Sequence, residues 1–333
     1  MSRPTEDTRT SPAPIPTGSS TSTASAGGRS VTPGRGSSSR GPSALSSPPG
    51  PDASLFGPGV GRRGPAGERD DPMADTGKGG SMVVGKARET DLGRITTVLF
   101  DLDGTLLDVD VEAFFPAYFD AVAARVSRYI GPDQFIPRLM RSTTVMIDNL
   151  DPSVTNAEAF AAAFFDGLDV GPEVLMPVFE AFYREEFPKL QRYAKPVEGA
   201  REVVQSVIDS GRRAVIATSP VFPEVAIRER LRWAGLEDLP FALVTTYENM
   251  HFCKPHPQYY EEIVSHLGCQ ASECLMVGND VEEDLSAQDV GIVTYLVEPN
   301  IIHRGKRPCT PDHRGPLADL PLLLDGARHR AAG

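Results

Sequence analysis

The 333-residue sequence predicts an α/β fold, in which a parallel-sheet core carries an inserted all-helical domain and follows a disordered tail. Three observations lead to this prediction. Beyond residue 196, short apolar runs alternate with helical patterns, which is typical of parallel sheets with right-handed crossovers. Residues 109–195 show helical patterns and no strand candidate. The first 90 residues have almost no hydrophobic periodicity.

The N-terminal segment, residues 1–90, is crowded with serine, proline, glycine and threonine. It carries 11 basic against 8 acidic side chains, whereas residues 91–333 carry 22 against 37. A segment of this composition buries too little apolar surface to offset the conformational entropy that folding removes. We therefore predict that residues 1–90 are disordered and that the folded part begins at residue 91.

The predicted sheet is built from short apolar runs. The five strand candidates are Ile95–Phe100, Ala214–Thr218, Phe241–Thr245, Cys274–Val277 and Ile292–Val297. Helical patterns separate the later four, and the clearest has apolar residues at i, i+3, i+4, i+7 and i+8 from Ala200 to Ile208. The remaining predicted helices begin at Pro223, at Pro255 or Pro257, and at Val281. The core therefore comprises residues 91–108 and 196–298, and residues 299–333 form a C-terminal extension.

The inserted domain, residues 109–195, follows the first predicted strand. Its four helical patterns cover Val111–Ile130, Gln134–Leu150, Ala157–Leu168 and Glu173–Phe187, with Gly-Pro or Asp-Pro turn signals between them. Its aromatic residues are expected to form the core of the insert itself and not a ligand site. They are Phe114, Phe115, Phe119, Phe164, Phe165 and Phe179.

Composition disfavours several classes of function. The net negative charge of residues 91–333 argues against nucleic acid as a partner. No apolar stretch reaches the roughly 18–20 residues of a membrane span, and the N-terminus lacks the apolar core of a secretory signal. The four cysteines form no Cys-x-x-Cys pair, so we expect neither a disulfide framework nor a zinc site. The expectation is a reduced, cytoplasmic protein that is a monomer or homodimer.

The most informative stretch follows the first predicted strand and reads Asp-x-Asp-Gly-Thr-x-x-Asp over residues 101–108. Asp101 and Asp103 lie at the C-terminal end of a buried strand, where ligands bind in open parallel sheets, and Gly104 allows a sharp turn. Neighbouring carboxylates in such a crevice suit a hard cation such as Mg²⁺, or a nucleophile paired with an acid/base. An acidic turn without chemistry explains Asp-x-Asp alone, but the whole pattern is much rarer.

Three further stretches follow in order. Residues 213–219 form a strand candidate that ends in Thr218 and Ser219, and Lys254 precedes a helix-starting proline. Residues 276–284 read Met-Val-Gly-Asn-Asp-Val-Glu-Glu-Asp, an acidic loop after another strand candidate. Together with the first stretch, they resemble the four motifs of the haloacid dehalogenase-like (HAD) hydrolase superfamily in order and spacing.

The resemblance covers about residues 94–298 and implies a Rossmann-like core with a helical C1-type cap, which here is residues 109–195. It also implies the phosphatase branch of the superfamily, because the dehalogenases lack an aspartate at the position of Asp103. The favoured hypothesis is a Mg²⁺-dependent phosphatase that acts on a small phosphorylated metabolite. A sugar phosphomutase of the same superfamily, or a catalytically inactive binding protein with this fold, is the alternative.

The resemblance assigns roles to individual residues. Asp101 is the nucleophile that forms an aspartyl-phosphate, and Asp103 protonates the leaving oxygen and then activates water. Thr218 binds a phosphoryl oxygen, with Ser219 as the adjacent candidate, and Lys254 bridges the nucleophile and the phosphate. Taken alone, a strand-end threonine is more often structural and a Lys-Pro pair is usually only a helix start. These assignments therefore depend on the resemblance.

The same resemblance implies Mg²⁺, held by the Asp101 carboxylate, the Asp103 backbone carbonyl and Asp280, with waters completing the octahedron. Asp280 and Asp284 share one face if a helix begins just before them, and Asp284 binds the cation through water or orients its ligands. Asn279 stands where many relatives have the aspartate itself, so Asp280 becomes the leading carboxylate. Ordinary acidity at a helix N-terminus is the alternative explanation of this loop.

These motifs handle only the phosphoryl group, so the cap is expected to select the rest of the substrate. A lid that closes over the site excludes water and brings its own side chains to the substrate. Among the basic residues of the cap, Arg141 is the favoured candidate for this role. It lies in the middle of a predicted helix, between Met140 and Val145, and not in a run of charges.

Overall fold

The computed structural model describes residues 91–331 and confirms an α/β core with a helical insertion. The predicted disordered tail, residues 1–90, lies outside the described residues. The eight strands are β1 Thr97–Phe100, β2 Leu107–Val109, β3 Ala194–Pro196, β4 Arg213–Ile216, β5 Leu243–Val244, β6 Cys274–Gly278, β7 Val293–Glu298 and β8 His313–Pro316. Six of them form one parallel sheet in the order β5-β4-β1-β6-β7-β8.

Strand β1 lies between β4 and β6 and is buried on both faces. Val98 and Phe100 pack into the larger apolar cluster of the described residues, and Leu99 packs into a second cluster with Tyr259 and Ile263 on the opposite face of the sheet. The carboxyl ends of β1, β4 and β6 therefore meet at one edge, where open parallel sheets bind ligands.

Strand β8 was not predicted, because His-Arg-Gly-Pro contains no apolar run. It pairs with β7, with Arg314 opposite Leu296, and forms one edge of the sheet. An edge strand has only one neighbour and tolerates proline and polar residues, so burial leaves little signal in its sequence. The C-terminal extension thus adds a sixth strand to the sheet.

The core helices are α5 Ala200–Asp209, α6 Glu224–Trp233, α7 Pro257–Leu267 and α8 Leu320–Ala331. The helix predicted from Val281 to Val290 was wrong in its first turn, since residues 281–284 form turns and a 3-10 helix covers only Leu285–Val290. In these turns the Asp280 side chain accepts from the backbone N–H groups of Glu282 and Glu283, and the Asp284 side chain accepts from that of Asp280. None of the described helices has the length and apolar character that crossing a membrane requires.

The insertion consists of α1 Val111–Val126, α2 Pro132–Ile147, α3 Asn156–Phe165 and α4 Pro172–Glu185, followed by a 3-10 helix, Phe187–Tyr193. The antiparallel pair β2 and β3 joins the chain where it enters and leaves the cap. The cap phenylalanines pack against one another, as expected. The ring of Phe187 also stacks on Trp233 of α6, with the ring centroids 5.2 Å apart, so the aromatic cluster continues into the core.

Candidate active site

A cavity of about 270 Å³ opens at the carboxyl edge of the sheet. It brings together most of the residues that the sequence selects: Asp101, Asp103, Thr218, Ser219, Lys254 and Asp280. Asp284 lies directly behind the lining and contacts Lys254. Four chain segments that are distant in sequence therefore converge on one small space, as the resemblance to the four motifs predicts.

Asp101 follows β1, and its side chain is held from two sides. Lys254 Nζ donates to Asp101 Oδ1 at 3.0 Å. The backbone N–H of Asp101 donates to the Val277 carbonyl at 2.9 Å. The Thr105 hydroxyl lies 3.2 Å from Asp101 Oδ2 and 3.1 Å from Asn279 Oδ1, so it can donate to one of them at a time. Burial raises the pKa of Asp101, and the nearby Lys254 charge offsets only part of this effect.

Gly104 turns the chain away from β1 with φ +87°, a conformation that L side chains rarely adopt. A Cβ at this position would also collide with the side-chain amide of Asn279. The turn therefore requires glycine for two reasons, and it allows Asp101 and Asp103 to line the same cavity.

Lys254 is 2% exposed and forms ion pairs with two carboxylates. Its Nζ lies 2.6 Å from Asp284 Oδ1 as well as 3.0 Å from Asp101 Oδ1. Burial lowers the pKa of Lys254, but the two carboxylates more than offset this, and the pKa is raised well above its usual value. Burial raises the pKa of Asp284 to about 6. Asp284 packs so closely on Gly278 that any side chain at Gly278 would collide with its carboxylate.

Thr218 and Ser219 follow β4 and line the cavity. The Thr218 backbone carbonyl accepts hydrogen bonds from the Thr245 hydroxyl at 2.8 Å and from the Tyr259 hydroxyl at 2.9 Å. These buried contacts position the backbone at the end of β4. Thr218 is buried and Ser219 is half-buried.

Arg230 on α6 also lines the cavity, although the sequence analysis did not select it. Its Nη1 donates to Asp103 Oδ2, and its guanidinium carbon lies 4.6 Å above the centroid of the Phe222 ring. The residue is 4% exposed. The sequence did indicate that Arg230 is buried, because it lies four residues after Ala226 and three after Ile227 and so shares the buried face of α6 with them.

Arg304 and Lys306 reach the cavity from the segment after β7. Arg304 pairs with Asp280 through both oxygens, at 2.6 Å for Nη2 to Oδ2 and 2.9 Å for Nη1 to Oδ1. Burial raises the pKa of Asp280, and the hydrogen bond from Arg304 lowers it in part. Arg141, the favoured specificity residue of the cap, is exposed and is not among the described residues that line this cavity.

Whether this edge suits Mg²⁺ depends on its donor atoms. Within residues 91–331, no three acidic, histidine or cysteine side chains form a ready metal cluster. Mg²⁺ commonly takes only one or two carboxylates, together with waters and substrate phosphate. The oxygens of Asp101, Asp280 and the Asp103 backbone carbonyl are the hard donors that this ion prefers, and burial raises the pKa of both carboxylates, so a cation stabilises them. These donors fit Mg²⁺, and Arg304 already pairs with the Asp280 carboxylate that such an ion would use.

Comparison with known proteins places this geometry in a family. The family model described as haloacid dehalogenase-like hydrolase matches residues 95–291. The pyrophosphatase PpaX of Halalkalibacterium halodurans is 26% identical over 237 residues, which cover 69% of this chain and 96% of that protein. The Bacillus pumilus pyrophosphatase PpaX is 25% identical over 210 residues, covering 60% of this chain and 82% of its own length.

Among solved structures, a HAD phosphatase from Thermococcus onnurineus covers 70% of this chain and 100% of its own, with 22% identity and a TM-score of 0.44. The family match is the decisive finding, because it extends over more than half of the 333 residues and includes all four motifs. The resemblance seen in the sequence is thereby confirmed. This chain belongs to the haloacid dehalogenase-like hydrolases.

Proposed function

We propose that the protein is a Mg²⁺-dependent phosphatase that hydrolyses a small phosphorylated metabolite through an aspartyl-phosphate on Asp101. Membership of the hydrolase family supports hydrolysis, and the similar pyrophosphatases support phosphate as the group transferred. The observation that carries the proposal is the convergence of Asp101, Asp103, Thr218 and Lys254 on one cavity at the carboxyl edge of the sheet. These are the side chains that phosphoryl transfer through an aspartate requires.

In the first half of the reaction, an oxygen of Asp101 attacks phosphorus and the bond from phosphorus to the leaving oxygen breaks. Asp103 gives its proton to that leaving oxygen. Lys254 and the Thr218 hydroxyl bind the phosphoryl oxygens and stabilise their charge. Asp284 acts through Lys254, because its Oδ1 holds the ammonium group at 2.6 Å and its Oδ2 accepts from the Asp280 backbone N–H at 2.9 Å.

In the second half, Asp103 takes a proton from a water molecule that attacks the phosphorus of the aspartyl-phosphate. The bond to Asp101 breaks, inorganic phosphate leaves, and both aspartates return to their starting states. Asp101, Asp280 and the Asp103 backbone carbonyl are the groups that would hold Mg²⁺. When bound, the ion supplies positive charge against the phosphoryl oxygens.

The test is an assay of the purified chain on p-nitrophenyl phosphate, with added Mg²⁺ or with excess chelator. We expect phosphate release that stops on chelation and returns with Mg²⁺, because the clustered carboxylates otherwise repel a phosphate dianion. Full activity in chelator contradicts the metal assignment. Absence of phosphate release from a broad panel of phosphorylated metabolites supports the inactive binding protein, and phosphate retained on a second sugar hydroxyl identifies a phosphomutase.

Two neighbouring hydroxyls compete for the phosphoryl oxygen, and paired substitutions distinguish them. Thr218→Val should lower kcat/KM on the aryl phosphate by about 100-fold, the usual effect of one donor to a developing charge. Ser219→Ala should change it by less than about threefold, since half-exposed hydroxyls contribute little. Steady-state kinetics with a melting curve for each variant measures both effects. A larger loss in the serine variant would assign the role to Ser219.

The ion pair between Arg304 and Asp280 predicts competition with Mg²⁺. Arg304→Gln should bind Mg²⁺ about tenfold more tightly, as expected if the cation no longer displaces an ion pair worth about 1.4 kcal/mol. Calorimetry without substrate measures this directly. Arg307→Gln is the matched control, because Arg307 lies in the same segment but is not among the described residues that line the cavity. Its guanidinium pairs with Asp289, with nitrogen–oxygen distances of 2.7 and 2.8 Å. Unchanged Mg²⁺ affinity in the Arg304 variant would show that Asp280 is not a ligand.

A further inference from the structure

One edge of the Arg230 guanidinium has no hydrogen-bond partner among the described residues. Nη1 donates to Asp103, but Nε and Nη2 are buried and unpaired, and so is Asp103 Oδ1. Nε and Nη2 together form the side edge of the guanidinium, whose two parallel N–H groups match the two oxygens of a carboxylate or phosphate. Buried polar groups without partners are uncommon in native proteins and call for an explanation.

The position of Arg230 relates it to one end of the substrate. In the proposed reaction Asp103 protonates the leaving oxygen, so a side chain that contacts Asp103 lies beside the leaving group. The phosphoryl end of the substrate is instead bordered by Lys254, which pairs with Asp101 and Asp284. The two basic side chains thus line the same cavity and contact different aspartates within it.

The surroundings of Arg230 favour a charged and small ligand. The Phe222 ring lies under the guanidinium and packs against Tyr118 of the cap, with their ring centroids 5.6 Å apart. An anion at a buried arginine interacts with it strongly, because little solvent screens the pair. A cavity of about 270 Å³ is at the small end of ligand pockets.

We propose that the Nε and Nη2 edge of Arg230 binds a second anionic group carried by the leaving group. The substrate is then a small phosphate ester or anhydride with a second phosphate or a carboxylate, such as inorganic pyrophosphate or a phosphorylated hydroxy acid. This inference rests on the proposed phosphatase function and specifies its substrate class. Arg304 is a weaker candidate for the role, since its hydrogen bonds and ion pairs among the described residues are with Asp280, Glu282 and Glu283 and not with Asp103.

The experiment compares three substrates at saturating Mg²⁺: inorganic pyrophosphate, phosphoglycolate and p-nitrophenyl phosphate. The first two carry a second phosphate or a carboxylate, and the third carries neither. Arg230→Gln should lower kcat/KM for pyrophosphate or phosphoglycolate, relative to p-nitrophenyl phosphate, by about 30-fold or more, mainly through KM. The substrate whose ratio falls further identifies the second group as phosphate or carboxylate.

Arg228→Gln is the matched control, because Arg228 lies on the same helix, is 62% exposed and pairs with Glu224. It should leave all three activities unchanged. Arg230→Lys keeps the charge without the paired N–H groups and should also lower the ratio, by about tenfold. If Arg230→Gln does not fold, the kcat/KM ratio of Arg230→Lys tests the proposal instead.

A fall of all three activities by the same factor would overturn the proposal, because Arg230 would then act only by positioning Asp103. An unchanged ratio in both Arg230 variants would overturn it as well. Failure of the proposed phosphatase function is distinguishable from either result, because the unaltered chain would then release no phosphate from any of the three substrates.

Discussion

Asp101→Asn is expected to reduce phosphatase turnover by about four orders of magnitude or more while leaving the fold intact. The amide is a poor nucleophile, so no aspartyl-phosphate forms. Asparagine keeps the volume of the side chain and retains one oxygen that can accept from Lys254, which contacts Asp101 Oδ1 at 3.0 Å. Asp101 also has a pKa that burial raises, so removing its charge does not remove a source of stability.

Turnover of p-nitrophenyl phosphate and the intact mass of rapidly quenched protein measure this prediction together. The unaltered chain should carry one added phosphoryl group during turnover, and the asparagine variant none. Asp108→Asn is the matched control, since Asp108 ends the same motif but its side chain is 42% exposed and pairs with Lys195. Substantial turnover in the Asp101 variant, with an unchanged melting temperature, would refute the proposed mechanism.

Lys254→Met is the second substitution with a large expected effect, on activity and stability alike. It leaves Asp101 and Asp284 as buried carboxylates without their shared cation. Removing one partner of a buried ion pair typically costs about 3–5 kcal/mol in the free energy of unfolding. Activity should fall by about 100-fold or more, because the positive charge near the phosphoryl oxygens is lost.

The loss of stability in this variant should depend on pH with a definite sign. Burial raises the pKa of Asp284 to about 6 even beside Lys254, and removing the lysine raises this pKa further. The folded variant then binds protons more readily than the unfolded chain, so its stability increases as pH falls and decreases as pH rises through the folded pKa.

Denaturant unfolding at pH 5 and pH 8, with chelator present, should therefore show a smaller loss of stability at pH 5. Lys195→Met is the control, because Lys195 is 76% exposed and pairs with Asp108 at 3.3 Å on the surface. It should change stability by less than about 1 kcal/mol at either pH. Equal destabilisation by Lys254→Met at both pH values would show that the carboxylates do not carry the effect.

Local patterns in the sequence were sufficient to predict much of this protein. The alternation of apolar runs with helical patterns identified the inner strands β1, β4, β6 and β7, because a buried strand must be apolar on both faces, and it also identified the edge strand β5. The helical cap was predicted from four helical patterns that Gly-Pro and Asp-Pro turn signals separate. Asp101, Thr218 and Asp280 were selected through the resemblance to the four family motifs, and they line one cavity because the parallel strands that precede them end at one edge of the sheet.

Only the tertiary structure brought Arg230 to Asp103 and Arg304 to Asp280. These partners are 127 and 24 residues apart, and no local period relates them. Strand β8 was not predicted because an edge strand need not be apolar, and the turns at residues 281–284 contain hydrogen bonds from backbone N–H groups to the Asp280 and Asp284 side chains. Periodicity records which face of an element is buried. Which charged side chains pair with each other depends on how the elements pack, and no local pattern in a single sequence predicts that packing.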